Sequence, residues 1–268
     1  MTDRALLVGI NKYPGAPLNG CINDINDMAT YITSVCKFAP TAIKSLKDKA
    51  ATTAAILSGL QWLVTGAKVG DRLFFHYSGH GAQVPTKTPA GEVDGLDEVI
   101  CPVDFDWSDK RLIRDKQFRA LFATIPTGVE FVWLSDSCHS GDLSKGMPKP
   151  HVTHRVMPLP DVSHPVHADL AKAREVLRTK KAAAPAAFNG ALISGCKSSQ
   201  TSADAYINGR YNGACTYYLL QELRKNPKAK LTDVVIRMDA AVKAAGFEQV
   251  PGLEGSAIVE SRAFLSLT

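Results

Sequence analysis

The chain has no apolar run approaching the roughly 20 residues that a membrane-spanning helix needs. It has no CxxC pair among its six cysteines, and aromatic residues make up only 7% of it. Each absence excludes something. With no spanning run, a membrane is not expected as a partner. With irregular spacing, Cys21, Cys36, Cys101, Cys138, Cys196 and Cys215 read as reduced thiols rather than a disulfide framework, most of them small buried hydrophobes. Met1-Thr2-Asp3-Arg4 runs straight into a short strand-like stretch, too brief for a signal-peptide core with its flanks, so a cytoplasmic location is expected. Acidic charge is scarce in one place. Residues 143–188 hold eight Lys/Arg against three acids, which accounts for the whole net charge of +5. That stretch contains no Trp or Tyr, so it lacks the aromatic partners of a nucleic-acid surface, and no nucleic acid is expected.

What is present is ordinary globular material: 268 residues, 45% hydrophobic and 21% charged, enough for a large single core. The pattern alternates. Strands are predicted over 5–10, 43–46, 71–77, 129–135, 190–195 and 263–267. Helices are predicted over 23–36, from the Thr52/Thr53 cap to about 65, and over 115–123, 215–225 and 232–245. Residues 94–106 read as a loop around the apolar Val99-Ile100-Cys101, and 168–179 as a short helix. This order predicts an α/β sandwich around a mostly parallel β-sheet, with active residues at the C-terminal ends of its strands. The proline- and histidine-rich segment 142–188 is long for a connection within a compact domain, and such connections are commonly functional or disordered.

Two of the predicted strands end in matched motifs, His76-Tyr77-Ser78-Gly79-His80-Gly81 and Ser135-Asp136-Ser137-Cys138-His139-Ser140-Gly141. A thiol and an imidazole offered from neighbouring strand ends suit a nucleophile and its base, because imidazole favours the thiolate. Cys138 supplies the sulfur. His80, between two glycines that let the backbone hold the ring in the open, is preferred as base over His76 at the strand end. His139 should point away from the sulfur. The Gly81 amide, with no side chain in the way, and the Cys138 amide suit an oxyanion hole. A zinc site from His76, His80, Cys138 and His139 is disfavoured, because a His-x-x-x-His across a strand end aims its rings apart. No metal or cofactor is expected.

These motifs, with Leu7-Val8-Gly9-Ile10-Asn11-Lys12-Tyr13, Leu18-Asn19-Gly20-Cys21-Ile22-Asn23-Asp24, Asp94-Gly95-Leu96-Asp97-Glu98, Ser194-Gly195-Cys196 and Gln200-Thr201-Ser202-Ala203, resemble the caspase-like cysteine peptidases, most closely metacaspases and bacterial orthocaspases. The resemblance covers nearly the whole chain in order, apart from 142–188. It implies a caspase-like α/β/α fold, a Cys138–His80 dyad, and cleavage of protein substrates after Arg or Lys in a pocket mapping onto Cys21, Asp24, Ser78 and Asp136. Two carboxylates at a pocket mouth suit a guanidinium or ammonium group. Asp24 also suits a plain helix N-terminal acid. The resemblance further implies a monomer, with 1–141 large-subunit-like, 142–188 a basic linker and 189–268 small-subunit-like. Autoprocessing is expected in that linker, at Arg174, Arg178, Lys180 or Lys181. Many members respond to Ca²⁺ at an aspartate cluster. Asp94 fits one position, but Arg114-Asp115 and Lys145 stand where further acids belong, so calcium-independent activity is expected. The rival readings are a catalytically silent interaction module and an Asp- or Asn-directed enzyme.

Overall fold

In a computed structural model, residues 1–87, 95–138, 150–170, 189–197 and 200–266 are described. The core is a six-stranded sheet built from β1 (Asp3–Gly9), β2 (Ile43–Lys47), β3 (Arg72–Ser78), β7 (Glu130–Asp136), β9 (Ala191–Ser194) and β12 (Gly252–Gly255), in the order β12-β9-β7-β3-β1-β2. All neighbours are parallel except β12, which runs antiparallel to β9. The central strands are apolar at nearly every position because both sheet faces are covered.

Alternate side chains serve opposite layers. Leu6, Val8, Phe75, Tyr77, Phe131 and Trp133 pack with helices α2 (Thr53–Val64) and α3 (Asp115–Phe122). Ala5, Leu7, Phe74, Val132 and Leu134 pack with α1 (Cys21–Ser34), α4 (Ala214–Lys225) and α5 (Leu231–Ala244). α2 starts where expected, with the Thr52 hydroxyl accepting from the Ala55 amide. The sheet is therefore the mostly parallel α/β sandwich that the alternation implied.

Two small antiparallel sheets frame the strand ends: β4 (Gly81–Pro85), β5 (Leu96–Ile100) and β6 (Ile113–Arg114), and β8 (Val152–His154), β10 (Ala203–Ile207) and β11 (Arg210–Gly213). Here the structure departs from expectation. The loop around Val99 is a strand, β5, paired on both sides. The hairpin β10–β11 turns on Asn208-Gly209, both at positive φ, a standard tight-turn dipeptide. The expected last strand at 263–267 is replaced by one isolated bridge at Ala263. Phe264 and Leu265 are apolar because they fill the α1/α4/α5 layer, with Phe264 edge-on to Phe74 at 5.4 Å, and not because they join a ladder. The true edge strand, β12, begins and ends in glycine and carries no strand-like apolar pattern. The helix expected from 168 is already helical at 166, and its remainder lies outside the described residues.

Candidate active site

Register brings the two strand-end motifs together. β3 and β7 are parallel and pair Ser78 with Asp136, so both side chains leave the same face of the sheet. α1 crosses that face with Asp24 in its first turn. The buried Asp24 carboxylate accepts from the Ser78 hydroxyl (2.8 Å) and the Gly213 amide (2.9 Å). Asp24 is thus both an N-terminal helix acid and a member of this cluster. Cys21, one turn earlier, is fully buried, and burial pushes its thiol far up. Asp136 is held by the Ser202 hydroxyl (2.7 Å) and by the Thr216 hydroxyl (2.8 Å) and amide (2.9 Å) at the start of α4. Packing thus gathers Asp24, Ser78, Asp136 and Cys21 at one spot.

A guanidinium occupies that spot. Arg155, just after β8, is fully buried. Its Nη2 lies 2.7 Å from Asp24 and 3.0 Å from Asp204, and its Nη1 lies 2.8 Å from the Ser78 hydroxyl and 3.2 Å from Asp136. Three carboxylates surrounding one cation hold its proton far more tightly than usual, although burial alone opposes the charge. Burial, only partly offset by Arg155, raises the Asp24 carboxyl to about 6. Asp204 was not anticipated as a site residue, although it directly follows the matched Gln200–Ala203 motif. It also accepts from the Asn19 (2.7 Å) and Gly20 (2.9 Å) amides, tying the loop before α1 to the pocket.

The backbone around Arg155 is held as firmly as its side chain. β8 pairs antiparallel with β10, and the Arg155 amide donates to the Ser202 carbonyl at 3.0 Å. The Arg155 carbonyl accepts from the Gly81 amide (3.0 Å) and the Cys138 amide (3.2 Å), and the Met157 amide donates to the Gly81 carbonyl (2.8 Å). The two amides singled out in the sequence therefore converge on one carbonyl oxygen. Val156 packs against Cys138 and Cys196, whose sulfurs are 3.8 Å apart. The Ser202 amide donates to the Cys138 sulfur.

His80 lies beside this carbonyl. Its Nε2 is 2.8 Å from the Ala16 carbonyl and its ring stacks obliquely on Tyr13 at 4.7 Å. An Nε2–H donated to Ala16 leaves the lone pair on Nδ1, which makes no hydrogen bond of normal geometry among the described residues but lies toward the Arg155 backbone. Contrary to the expectation of an open ring, His80 is 2% exposed and Cys138 is fully buried. The reason is the 152–157 segment lying across them, which a reading of the strand ends alone could not supply. Burial lowers the His80 pKa to about 4. What remains open is a cleft of about 300 Å³ lined by Ala16, Pro17, His80, Thr153, His154 and Val156. His76 is buried on the α4 side, 3.3 Å from the Thr216 hydroxyl, and burial drops its pKa to about 3.

Buried tyrosines hold the turn that carries His80. The Tyr13 hydroxyl accepts from the His80 amide (3.1 Å), and the Tyr77 hydroxyl donates to the His80 carbonyl (2.6 Å). A β-carbon on Gly79 would fall 2.5 Å from the Tyr13 hydroxyl, so close approach, and not chain flexibility, requires glycine there.

His139, Asp94, Lys145 and the candidate cleavage residues Arg174, Arg178, Lys180 and Lys181 lie outside the described residues. Arg114 is described. Its guanidinium bonds Asp97 (2.5 Å) and Asp109 (2.6 Å), and Lys116 adds a second cation to Asp97 at 2.7 Å. Where the resemblance puts a carboxylate for calcium, a cation engages the neighbouring acid, so these residues do not fit a divalent metal.

A thiol, an imidazole and paired amides at the strand ends of this sheet define the caspase-like class. The fold is that of caspase-1 from Spodoptera frugiperda, matched with a TM-score of 0.60 over 94% of this chain and 86% of that one at 12% identity. A Geobacter sulfurreducens protein of known structure is closer, with a TM-score of 0.71, 27% identity, and coverage of 100% of this chain and 99% of that one. Residues 3–145 match the metacaspase, peptidase C14 domain. Metacaspase-1 of Coccidioides immitis is 33% identical over 94% of this chain, which spans 61% of that relative's length. Metacaspase-1A of Aspergillus terreus is also 33% identical, with 70% of its length covered. The chain belongs to the metacaspase family.

Proposed function

We propose that this chain is a cysteine endopeptidase that cleaves protein substrates after Arg or Lys. One observation carries the reading: a guanidinium sits among Asp24, Asp136 and Asp204 while the carbonyl of the same residue accepts from the Gly81 and Cys138 amides. Bound arginine and polarised carbonyl are the two halves of a substrate pose.

In this reading the Cys138 thiol gives its proton to His80 Nδ1 and the sulfur attacks the carbonyl carbon. Negative charge growing on the oxygen is met by the two amides, an effect on the order of a few kcal/mol. His80 then passes the proton to the departing amine, and water hydrolyses the thioester. Cys21 and Ser78 complete the pocket with the carboxylates. Autoprocessing in the 142–188 linker, a monomeric state and a cytoplasmic setting with reduced thiols belong to the same proposal.

The deciding experiment is a fluorogenic panel offering Arg, Lys, Asp or Asn before the scissile bond. Turnover of Arg and Lys peptides, abolished in Cys138→Ala, is expected. Turnover of Asp or Asn peptides alone, or none at all, would overturn the specificity or the activity respectively. Because Arg114 and Lys116 already neutralise Asp97, rates in chelator and in millimolar calcium should agree within twofold. A strong calcium requirement would refute that part.

A further inference from the structure

Arg155 belongs to the chain's own basic segment, yet it is not among the residues from which self-cleavage was expected. We infer that the segment Val152–Met157 is a built-in substrate, that it blocks the site until cut, and that the bond cut is Arg155–Val156. This rests on the peptidase reading above and adds its site of self-modification and its mode of control.

The segment satisfies each demand on a bound substrate. β8 adds to β10 as an antiparallel strand, a common way to hold an extended peptide. Its basic side chain fills the carboxylate pocket, and its carbonyl oxygen faces two amide donors. The residue after the bond, Val156, rests on the Cys138 side chain. The Met157 amide then clamps the far side to the Gly81 carbonyl. Thr153 and His154 are exposed and line the open cleft, so the buried contacts of the segment are concentrated in Arg155 and Val156. A loop that merely covered the site would need none of this register.

The step balances. The Cys138 sulfur bonds to the Arg155 carbonyl carbon, the Arg155–Val156 C–N bond breaks, and the thiol proton leaves on the Val156 amine by way of His80. Water then splits the thioester, leaving the Arg155 carboxyl group and restoring the thiol. Because the bond is buried in its own site, the first cut is intramolecular.

Purified wild-type protein should yield a new N-terminus at Val156, found by N-terminal sequencing and intact mass. Its half-time should not change on tenfold dilution, and Cys138→Ala should stay whole. Arg155→Lys should still be cut, and Arg155→Gln should not be cut at this bond. Val156→Pro keeps Arg155 and its carbonyl bonds but resists cleavage. It should process Arg peptides at least tenfold more slowly than wild type, because the plug stays in place. Arg155→Gln should process them without a lag. Should Arg155→Gln misfold, the Val156→Pro result decides. If wild type turns over Arg peptides while the 155–156 bond remains whole, this inference fails and the peptidase reading stands. If neither wild type nor Arg155→Gln turns over any Arg or Lys peptide, both fail.

Discussion

Charge in the pocket is decided by single atoms. Asp136 and Asp204 each offer an oxygen to the same guanidinium, and both are fully buried. A hydrogen bond to a charged group contributes about 1.5–3 kcal/mol, roughly 10- to 100-fold in an equilibrium. Asp204→Asn is therefore expected to lower kcat/KM for Arg peptides by about that factor, chiefly through KM, as steady-state assays would read. A separate limb should appear with pH. With a guanidinium in the pocket, burial still raises Asp24 to about 6, so it gains a proton and the pocket loses a negative charge as pH falls below that value. While the site is filled, burial holds His80 at about 4, so it stays a neutral base down to about pH 5. Between about pH 6 and 5 the loss should be in KM and not kcat, and Asp24→Asn should remove that limb. A parallel fall in kcat across the window would contradict the assignment.

At the scale of elements, the β3 turn and the first residue of β7 carry the sharpest expectations. Gly79→Ala forces a β-carbon against the Tyr13 and Tyr77 hydroxyls that position His80. On the proposed mechanism it should cut kcat at least tenfold, because His80 is displaced while Asp24, Asp136 and Asp204 are untouched. Glu130 opens β7, is 4% exposed, and accepts from the Ser266 amide at 3.0 Å. Burial raises its carboxyl to about 7. A folded pKa above the unfolded value means the contribution is complete in acid and is lost as pH rises from about 4.5 through 7. Glu130→Gln keeps the acceptor without the charge. It should therefore be more stable than wild type at pH 8, by on the order of 3 kcal/mol, and indistinguishable near pH 4, as denaturant titrations at the two pH values would check.

Across the whole molecule, buried cations tie together parts far apart in the chain. Arg72 bonds Asp3 through Nε (2.8 Å) and Nη2 (2.6 Å), and its Nη1 donates to the Cys36 and Leu265 carbonyls at 2.9 Å each. One side chain thereby joins β1, the end of α1 and the C-terminal segment. Arg72→Ala leaves two buried carbonyls without this donor and should cost about 2–4 kcal/mol, measured as a lower denaturant midpoint. Arg155 plays the same part at the other end of the sheet. Asp24 lies 131 residues from it and Asp204 lies 49 residues from it. Cutting the 155–156 bond should therefore leave the central sheet intact while freeing the cleft.

The sheet was readable because its causes are local. Apolar runs at 5–10, 71–77 and 129–135 are strands buried on both faces, and the glycine- and serine-rich motifs beyond them mark the ends where reactive groups emerge. β12 was not readable, since a short edge strand bounded by glycines has no apolar pattern to betray it. The amides of Gly81 and Cys138 could be paired from sequence because each sits at a fixed step beyond its strand. Asp204 and Arg155 could not, because a buried guanidinium takes its partners from whatever the fold brings near, and no spacing along the chain encodes that. The layered sheet follows from the order of apolar runs along the chain, and the acidic pocket was expected only from the resemblance to metacaspases. Which arginine lies among those carboxylates is set by the fold, because the choice among eight basic residues in 143–188 depends on the register of β8 against β10.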